Sequence, residues 1–345
     1  MKKTSKWSLG LGISLIGCAS LFAEPAAPKI APYDGQEPDM RKPVQVFILL
    51  GQSNMLGFGR TKGDNDGTLP HAVKEKGLYP YLVDAEGNWV TRKDVRNVRV
   101  MNDRQFNNEW MTITGANIGP EIGIGHHLGN GTDAPILILK SCIGNRSLGW
   151  DLLPPGSERF EANGRIYAGY KDSPDSWEKG TEPEPIGWYA GKQYDSDIGA
   201  AKRVLENLKD YIPGATEYQV VGFFWWQGDK DMRNAAHAAR YEKNLVTLIK
   251  ALRNDFNSPN AKFVAATLGQ TTMETGGNQG LIREAKFNIA NPEKYPQFAG
   301  QVATVYTNPL SKGGSSSGHY GGNAETYMNV GEAMGWAMLE LLRKK

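Results

Sequence analysis

The 345-residue chain contains few of the features that indicate a metal-binding, disulfide-bonded or nucleic-acid-binding protein. It has two cysteines and five histidines, and these are too scattered to form a cluster with metal-ligand spacing. Its 39 basic and 37 acidic residues nearly balance without a dense basic run, so nucleic acid is not an expected partner. A glycine-rich phosphate-binding motif is missing as well. We therefore expect a protein that needs no metal ion and no other cofactor.

Apolar runs long enough to cross a membrane are also missing, but the first 23 residues are typical of an export signal. Three lysines, Lys2, Lys3 and Lys6, precede an apolar stretch over residues 9–21. A stretch of about 13 apolar residues is too short to form a stable membrane-spanning helix. We interpret residues 1–23 as the signal peptide of an exported bacterial protein.

Two routes for processing this segment remain open. Cleavage after Ala23 would release a periplasmic or extracellular protein. The sequence Leu15-Ile16-Gly17-Cys18, however, resembles a bacterial lipobox, which would place a lipid anchor on Cys18 and give an outer-membrane lipoprotein. Residues 1–23 hold three lysines and no acidic residue, so the remaining chain is close to neutral. Only Cys142 remains on either route as an unmodified cysteine, so no intrachain disulfide is expected.

The remainder of the chain alternates between strand and helix patterns. Short apolar runs that suit buried strands occupy residues 44–50, 135–140, 220–225, 263–266 and 302–306. Apolar residues at helical spacing occupy residues 198–208, 241–252 and 327–341, the last with Asn323 as a candidate N-cap. This alternation predicts a doubly wound α/β fold with a mostly parallel, five-stranded sheet. We expect residues 24–43 to form a linker and residues 44–345 a single domain.

Two long polar segments, residues 57–115 and 154–194, interrupt this alternation. They are rich in glycine and proline and carry many aromatic residues, among them Tyr79, Trp89, Trp110, Tyr167, Tyr170, Trp177, Trp188 and Tyr189. Segments of this length inside a domain are usually functional or contain small elements of their own. Two interpretations remain open: the aromatic rings line a cleft and stack on sugars, or they form small satellite cores.

The first predicted strand ends in Leu50-Gly51-Gln52-Ser53-Asn54, which places a serine directly after a buried strand. Open α/β sheets carry their active sites at the carboxyl ends of their strands. If a helix begins at this point, the backbone N–H groups of Ser53 and Asn54 are free to bind an anion. Ser53 is therefore either a nucleophile or simply the cap of the next helix.

A serine nucleophile needs an adjacent base, and His319 has the most suitable position. It follows the glycine- and serine-rich residues 313–318 after the last strand, and it precedes the final helix. Loops that leave the carboxyl ends of parallel strands meet at one edge, so Ser53 and His319 are expected to meet there. The other histidines lie elsewhere: His71 and His237 have no such position, and His126 and His127 lie in a predicted helix where packing is expected.

Two further strand ends carry polar groups. The strand at 220–225 leads into Gln227-Gly228-Asp229, where Asp229 would orient His319 and the Gln227 amide would bind an oxyanion. The alternative is that these residues form an ordinary turn. The strand at 135–140 leads to Gly144 and Asn145, which offer a backbone N–H and a side-chain amide. Together these groups predict a serine hydrolase site.

These motifs resemble those of the SGNH hydrolases, in the branch of sialate O-acetylesterases and carbohydrate esterase family 6. The sequence Gly51-Gln52-Ser53-Asn54-Met55 resembles the nucleophile block of that branch, and Trp226-Gln227-Gly228-Asp229 is similar to its Trp-x-Gln-Gly-Glu block. Gly119-Pro120-Glu121 and Ile143-Gly144-Asn145 match further segments, over residues 44–340 in all. The resemblance implies a three-layer, flavodoxin-like fold and metal-independent hydrolysis of acetyl esters on carbohydrates. It also implies that Gln52, with Gly144, Asn145 and Gln227, binds the oxyanion or substrate.

The chain departs from the SGNH pattern at the group that supports the histidine. Many SGNH enzymes have Asp-x-x-His, but the position three residues before His319 is Ser316, which is not ionised. The acid of the Gln-Gly-Glu block is a credible replacement and corresponds here to Asp229. Asp231, Glu325 or a Ser–His pair without an acid remain alternatives.

The expected function is therefore removal of O-acetyl groups from glycans, either O-acetylated sialic acid or acetylated polysaccharide, through an acetyl-enzyme. Two other functions remain open. One is a non-catalytic carbohydrate-binding protein on a decayed esterase scaffold. The other is an esterase or thioesterase for a non-glycan ester, although no long apolar lid segment for an acyl chain is present.

Overall fold

The computed structural model describes residues 28–102 and 104–344. The predictions for the signal segment 1–23 and for a lipid on Cys18 lie outside these residues. Within the two described ranges, no helix has the length and apolar character needed to cross a membrane.

Twelve strands, eight α-helices and five short 3₁₀-helices make up the regular structure of the described residues. The strands are β1 (Val44–Gly51), β2 (Gly59–Arg60), β3 (Arg92–Met101), β4 (Arg104–Met111), β5 (Asn117–Ile118), β6 (Ile136–Ser141), β7 (Phe160–Ala162), β8 (Arg165–Tyr167), β9 (Ser176–Glu178), β10 (Tyr218–Trp226), β11 (Lys262–Ala266) and β12 (Val302–Val305). The helices are α1 (Ser53–Leu56), α2 (Leu69–Lys74), α3 (Glu121–Gly129), α4 (Lys192–Glu206), α5 (Leu208–Tyr211), α6 (Ala235–Asp255), α7 (Gly277–Ala290) and α8 (Ala324–Arg343).

The central sheet has the strand order β12-β11-β10-β1-β6-β3-β4 and is parallel except for β4. All five predicted strands are present in it. Strands β10, β11 and β12 lie on one side of β1, and β6, β3 and β4 lie on the other. The chain therefore crosses from one side of β1 to the other between β6 and β10, which places β1 at the topological switch point, where such sheets bind ligands. The mostly parallel α/β prediction is therefore confirmed.

The predicted number of five strands is wrong, because residues 57–115 add β3 and β4 to one edge of the sheet. Strand β3 carries four basic residues within ten positions, so its sequence lacks the apolar run of a buried strand. Its first residue, Arg92, is only 1% exposed and forms a bidentate pair with Asp94, at 3.0 and 2.6 Å. Because the charge of Arg92 is paired with Asp94 in the same strand, this residue can be buried although it is not apolar. A search for apolar runs therefore does not find the strand.

Helices cover both faces of the sheet and give three layers. Alternate side chains of β1 point to opposite faces, with Val46 and Ile48 in one apolar core and Phe47 and Leu49 in the other. Helices α4, α6 and α7 close the first core, and α2, α3 and α8 close the second. The predicted cap of the last helix is also confirmed, because the Asn323 side chain accepts a hydrogen bond from the Thr326 N–H.

Residues 154–194 form a small unit beside the central sheet. Strands β7, β8 and β9 make a three-stranded antiparallel sheet. Trp177 lies in a separate apolar core there with Leu153, Ala168 and Ala190. Residues 28–43 have no strand or helix, and they lie along the domain through contacts such as the hydrogen bond from Asn130 Nδ2 to Ala31 O, at 2.7 Å.

Candidate active site

The nucleophile turn, residues 51–56, begins where β1 ends. Gly51 has φ +145°, and a Cβ there would lie 2.4 Å from the Trp226 carbonyl oxygen, so only glycine fits. Helix α1 then begins at Ser53, and its N-cap is Gln52, which makes no side-chain capping bond. The interpretation of Ser53 as a helix cap is therefore wrong. Ser53 is 8% exposed, and its hydroxyl has no hydrogen-bond partner in residues 28–102 and 104–344.

A buried ion pair holds the far end of the nucleophile turn. Lys140 Nζ donates to the Leu56 carbonyl, at 2.8 Å, and to Glu121 Oε2, at 2.5 Å. Glu121 Oε1 accepts from the Gly119 N–H at 3.0 Å. The lysine charge therefore lies at the carboxyl end of α1, where a cation is favourable. Lys140 was not among the residues selected from the sequence. The signal that could have identified it is a lysine inside the otherwise apolar strand β6.

The Gly144 turn, residues 143–146, follows β6 and lies directly beside Ser53. A Cβ placed on Gly144 would be 3.6 Å from the Cβ of Ser53. Asn145 has a left-handed backbone with φ +55°, a conformation that asparagine tolerates better than most residues. Its exposed side-chain amide has no hydrogen-bond partner among the described residues. The predicted pair Gly144 and Asn145 thus lies at the same edge as the nucleophile turn.

Gln52 and Gln227 contact each other in a buried network behind the nucleophile turn. Gln52 Oε1 accepts from Gln227 Nε2, at 3.1 Å, and from the N–H groups of Gly228 and Lys230, at 3.4 and 3.3 Å. This fixes the orientation of the Gln52 amide. Its Nε2 group has no partner within the described part of the chain and is not among the fully enclosed polar atoms. Gln52, the residue before Ser53, therefore has two N–H donors that no described protein group uses.

The Gln227 amide, in contrast, is fully engaged inside the protein. Besides Gln52, its Nε2 group donates to the Arg146 carbonyl, at 2.8 Å, and to Asp231 Oδ2, at 2.5 Å. Its Oε1 accepts from the Tyr241 hydroxyl at 2.8 Å, and the side chain is fully buried. An amide NH₂ has two hydrogens, so none is left for a substrate in this arrangement.

The histidine loop, residues 313–323, carries His319 to the same edge. Its segment Ser316–Gly322 packs against α1. His319 has φ +52°, and Tyr320 follows with φ +53°, so two successive non-glycine residues are left-handed. The imidazole of His319 stacks on the ring of Phe58, with the ring centroids 4.0 Å apart and an interplanar angle of 6°. Sequence reasoning did not select Phe58.

Asp229 contacts the histidine loop through serine hydroxyls and not through the imidazole. Its Oδ2 accepts from Ser316 Oγ, at 2.8 Å, and from Ser317 Oγ, at 2.6 Å. Its Oδ1 accepts from Arg233 Nη2 at 3.0 Å. Ser316 is the residue that replaces the usual acid, so the carboxylate of Asp229 reaches that position from a neighbouring strand. Among the described residues, the His319 ring forms no hydrogen bond with a carboxylate or with Ser53.

A buried tyrosine anchors the histidine loop to the sheet. The Tyr320 hydroxyl accepts from the Gly269 N–H at 3.0 Å, and its ring stacks on Trp226 with centroids 5.7 Å apart. Burial raises the pKa of Tyr320, so its hydroxyl stays neutral. Gln270 Oε1 also accepts from the Ser316 N–H, at 3.2 Å. The ends of β10 and β11 therefore both support the loop.

The other two candidate acids have different partners. Asp231 is fully buried and accepts from the N–H groups of Leu148 and Gly149, at 2.9 and 2.8 Å, as well as from Gln227. Burial raises the pKa of this carboxyl group. Glu325 pairs with Lys76 and Lys312. Neither carboxylate contacts the histidine loop through His319, Ser316 or Ser317.

The remaining histidines have packing or structural contacts. His126 and His127 are 1% and 5% exposed, and burial lowers the pKa of His127 to about 4. His237 Nε2 lies 3.0 Å from Asp175 Oδ1 and joins α6 to residues 154–194. No group of three or more potential metal-ligating side chains is found in the part of the chain that the structure describes.

Residues 154–194 lie against the Gly144 turn. The Arg146 guanidinium stacks over the Trp188 ring at 4.9 Å from its centroid, and Lys192 Nζ lies 5.0 Å from the same ring. Two cations therefore lie against the ring of Trp188. The indole Nε1 of Trp188 is buried and has no hydrogen-bond partner among the described residues. Trp188 therefore lies beside the Gly144 turn, while Trp177 fills the satellite core described above.

A family model described as a carbohydrate esterase, sialic acid-specific acetylesterase, matches residues 43–340. The chain belongs to this family. It is accordingly a carbohydrate O-acetylesterase, which is a carboxylic ester hydrolase. Membership confirms the resemblance found in the motifs.

Several solved structures are similar to this chain, at low sequence identity. They include a protein from Arabidopsis thaliana, with 17% identity and a TM-score of 0.49, covering 86% of this chain and 98% of that one. A carbohydrate acetylesterase from Xanthomonas citri has 16% identity and a TM-score of 0.49, covering 84% of this chain and 55% of that one. NanS has 14% identity and a TM-score of 0.41, with 79% of each chain covered. No curated protein matches the chain significantly.

Proposed function

We propose that this esterase is exported and removes O-acetyl groups from sialic acid or acetylated polysaccharide through an acetyl-enzyme on Ser53. The observation that carries the proposal is the position of the Ser53 hydroxyl. It is unbonded, lies at the carboxyl end of the switch-point strand and next to the Gly144 turn, and its helix α1 packs against the histidine loop. This arrangement suits a nucleophile with a base and an oxyanion site next to it.

In the first half of the reaction, His319 takes the proton of the Ser53 hydroxyl while Oγ attacks the acetyl carbonyl carbon. The developing oxyanion is stabilised by the backbone N–H groups of Ser53 and Gly144. The side-chain amide of Asn145 or Gln52 supplies a further donor. His319 then gives the proton to the sugar oxygen as the ester bond breaks, which leaves Ser53 acetylated.

In the second half, water attacks the acetyl-enzyme. His319 takes a proton from this water, and the same N–H groups stabilise the second oxyanion. Collapse of the intermediate releases acetate, and the proton returns to Ser53 Oγ. Gln227 acts in this proposal as a positioning residue, because its amide holds Gln52 and has no free donor for the substrate.

Asp229 is the acid that the contacts favour. It is the candidate acid that binds the histidine loop, and the hydroxyls of Ser316 and Ser317 bring its negative charge to the position of the usual acid. A carboxylate there stabilises the positive charge that His319 carries after taking a proton. Asp231 and Glu325 are bonded elsewhere and serve to hold the surrounding elements.

The test is acetate release from a panel of acetylated glycans, with Ser53→Ala as the control. The panel should contain O-acetylated sialic acids and acetylated plant polysaccharides, together with aryl esters of increasing acyl length. The proposal expects rapid release from a glycan, loss of rate beyond acetyl, and no release by Ser53→Ala. Equal rates for wild type and Ser53→Ala would overturn it. For the export proposal, the amino terminus and the lipid content of the mature protein from its bacterial host should be determined by mass spectrometry.

A further inference from the structure

Phe58 has no part in the sequence motifs, yet it makes the closest ring contact of His319. It lies two residues beyond α1 and just before β2, and it is half-buried at the edge of an apolar core. The two rings are nearly parallel and 4.0 Å apart at their centroids. The backbone confirms this close approach, because a Cβ on Gly322 would lie 3.2 Å from the Phe58 carbonyl oxygen.

The charged and titratable groups around His319 leave this stacking face to Phe58. From the end of β10, Asp229 faces the loop, but its oxygens accept from Ser316, Ser317 and Arg233. From α8, the Tyr327 hydroxyl donates to the His319 backbone carbonyl at 3.3 Å. From β2, the stem of Arg60 lies beside Gly322. None of these groups forms a hydrogen bond with the imidazole.

We propose that Phe58 is a positioning residue for the esterase reaction, which stabilises the imidazolium form of His319 through its ring face. The proposal rests on the proposed function, in which His319 accepts the Ser53 proton and becomes positively charged. The face of a benzene ring is the negative end of its quadrupole and attracts a cation within about 6 Å. The proton passes from Ser53 Oγ to His319 and then to the leaving sugar oxygen. Phe58 exchanges no proton or electron.

The stack also fixes the orientation of a histidine whose backbone is unfavourable. His319 and Tyr320 are left-handed, and such residues persist only where the surroundings hold them. Tyr320 is held by Gly269 and Trp226, whereas the His319 ring is held by Phe58. A flat aromatic side chain restricts rotation of the imidazole in a way that an aliphatic one does not.

The test compares Phe58→Leu with Phe58→Trp, which retains an aromatic face. Phe106→Leu is the matched control, because Phe106 is 44% exposed on β4, outside the candidate site. Hydrolysis of an activated aryl acetate is measured from about pH 5 to 9. In Phe58→Leu, kcat should fall about 3- to 30-fold with little change in KM, and the acidic limb of the pH profile should move to lower pH. Phe58→Trp should restore most of kcat, and Phe106→Leu should match wild type.

Two kinetic results would overturn the proposal. One is a Phe58→Leu enzyme within twofold of wild type with an unchanged acidic limb. The other is an equal loss in Phe58→Leu and Phe58→Trp, which shows that the residue only fills space. Thermal unfolding of each variant verifies that it is folded, and if Phe58→Leu is not, Phe58→Met takes its place.

A measurement without turnover separates this proposal from the proposed function. The ring protons of His319, assigned with a His319→Gln variant, should show an upfield ring-current shift in wild type that is lost in Phe58→Leu. If wild type releases no acetate but this change is seen, the catalytic role of Ser53 fails while the stack is retained. Unchanged histidine signals in Phe58→Leu contradict the stack itself.

Discussion

The nucleophile turn and the histidine loop meet at one edge of the sheet, but different contacts hold them. The nucleophile turn is fixed by backbone geometry and by buried charge: Gly51 packs on Trp226, and Lys140 binds the end of α1. In the histidine loop, His319 and Tyr320 have left-handed backbone conformations, and side-chain hydroxyls and stacked rings hold the loop in place. The nucleophile is therefore placed by the fold, whereas the base is placed by a few individual side chains.

Replacing Asp229 should separate the two regions most strongly, because it contacts the histidine loop and not the nucleophile turn. Asp229→Asn keeps the size of the side chain but removes its negative charge. We expect kcat to fall by about 10²- to 10⁴-fold, in line with loss of the acid in a Ser-His-Asp triad. Aryl acetate kinetics measure the effect, with thermal unfolding as a check on folding. A variant within twofold of wild type would point to a Ser–His pair without an acid.

Breaking the buried pair tests the nucleophile turn. Lys140→Met leaves Glu121 buried without its cation and should lower the free energy of unfolding by about 3–5 kcal/mol. The double variant Lys140→Met/Glu121→Gln carries no unpaired charge and should recover a large part of this loss. Denaturant unfolding measures both values. A single variant as stable as wild type would show that the pair does not hold this turn.

The serine hydroxyls should give a smaller effect on the histidine loop. Ser316 is 1% exposed, and Ser316→Ala removes one donor to Asp229 and leaves the bond from Ser317. A hydrogen bond to a charged group contributes about 1.5–3 kcal/mol, but the remaining bond from Ser317 keeps part of the link, so we expect kcat to fall about tenfold, at the low end of this range. Ser316→Asp would place an acid at the usual position and tests whether Asp229 is then dispensable. If Ser316→Ala has wild-type kcat, the hydroxyl is not part of the link.

The smallest expected effect is a pH dependence of the local stability of residues 154–194. Burial lowers the pKa of His237, but the hydrogen bond and charge of Asp175 outweigh it, so the pKa lies above its ordinary value of 6.5. Charged His237 therefore stabilises the folded protein fully below pH 6.5, and this contribution is lost as pH rises through the raised value. Amides of residues 165–178 should exchange faster at alkaline pH, beyond the intrinsic increase. His237→Gln should remove this extra dependence, and an unchanged profile would contradict it.

Sequence reasoning found the elements whose signals are local. The apolar runs ending at Gly51 and Gln227 located the strand ends, because a strand buried on both faces is uniformly apolar. It missed β3, whose Arg92 is neutralised by Asp94, and β4, a polar edge strand. The resemblance of the sequence motifs to those of the sialate O-acetylesterases is confirmed by the family match.

Contacts between distant residues could not be predicted in this way. The bond of Asp229 to Ser316 joins residues 87 positions apart, and the stack of Phe58 on His319 joins two loops that only the folded sheet brings together. The hydrogen bonds of the Gln227 amide to Asp231 and Arg146 also could not be predicted from the spacing of these residues in the sequence. These contacts decide how each group acts, and they are properties of packing.

The central claim is that Ser53 carries the acetyl group during the reaction. The most direct measurement is mass spectrometry of protein quenched during rapid turnover of an aryl acetate, followed by peptide mapping. The account predicts one acetyl group on the peptide that contains Ser53, and none in Ser53→Ala, which should release no acetate above background. A wild-type enzyme that turns over without acetylation at Ser53, together with a Ser53→Ala variant that retains the rate, would contradict it.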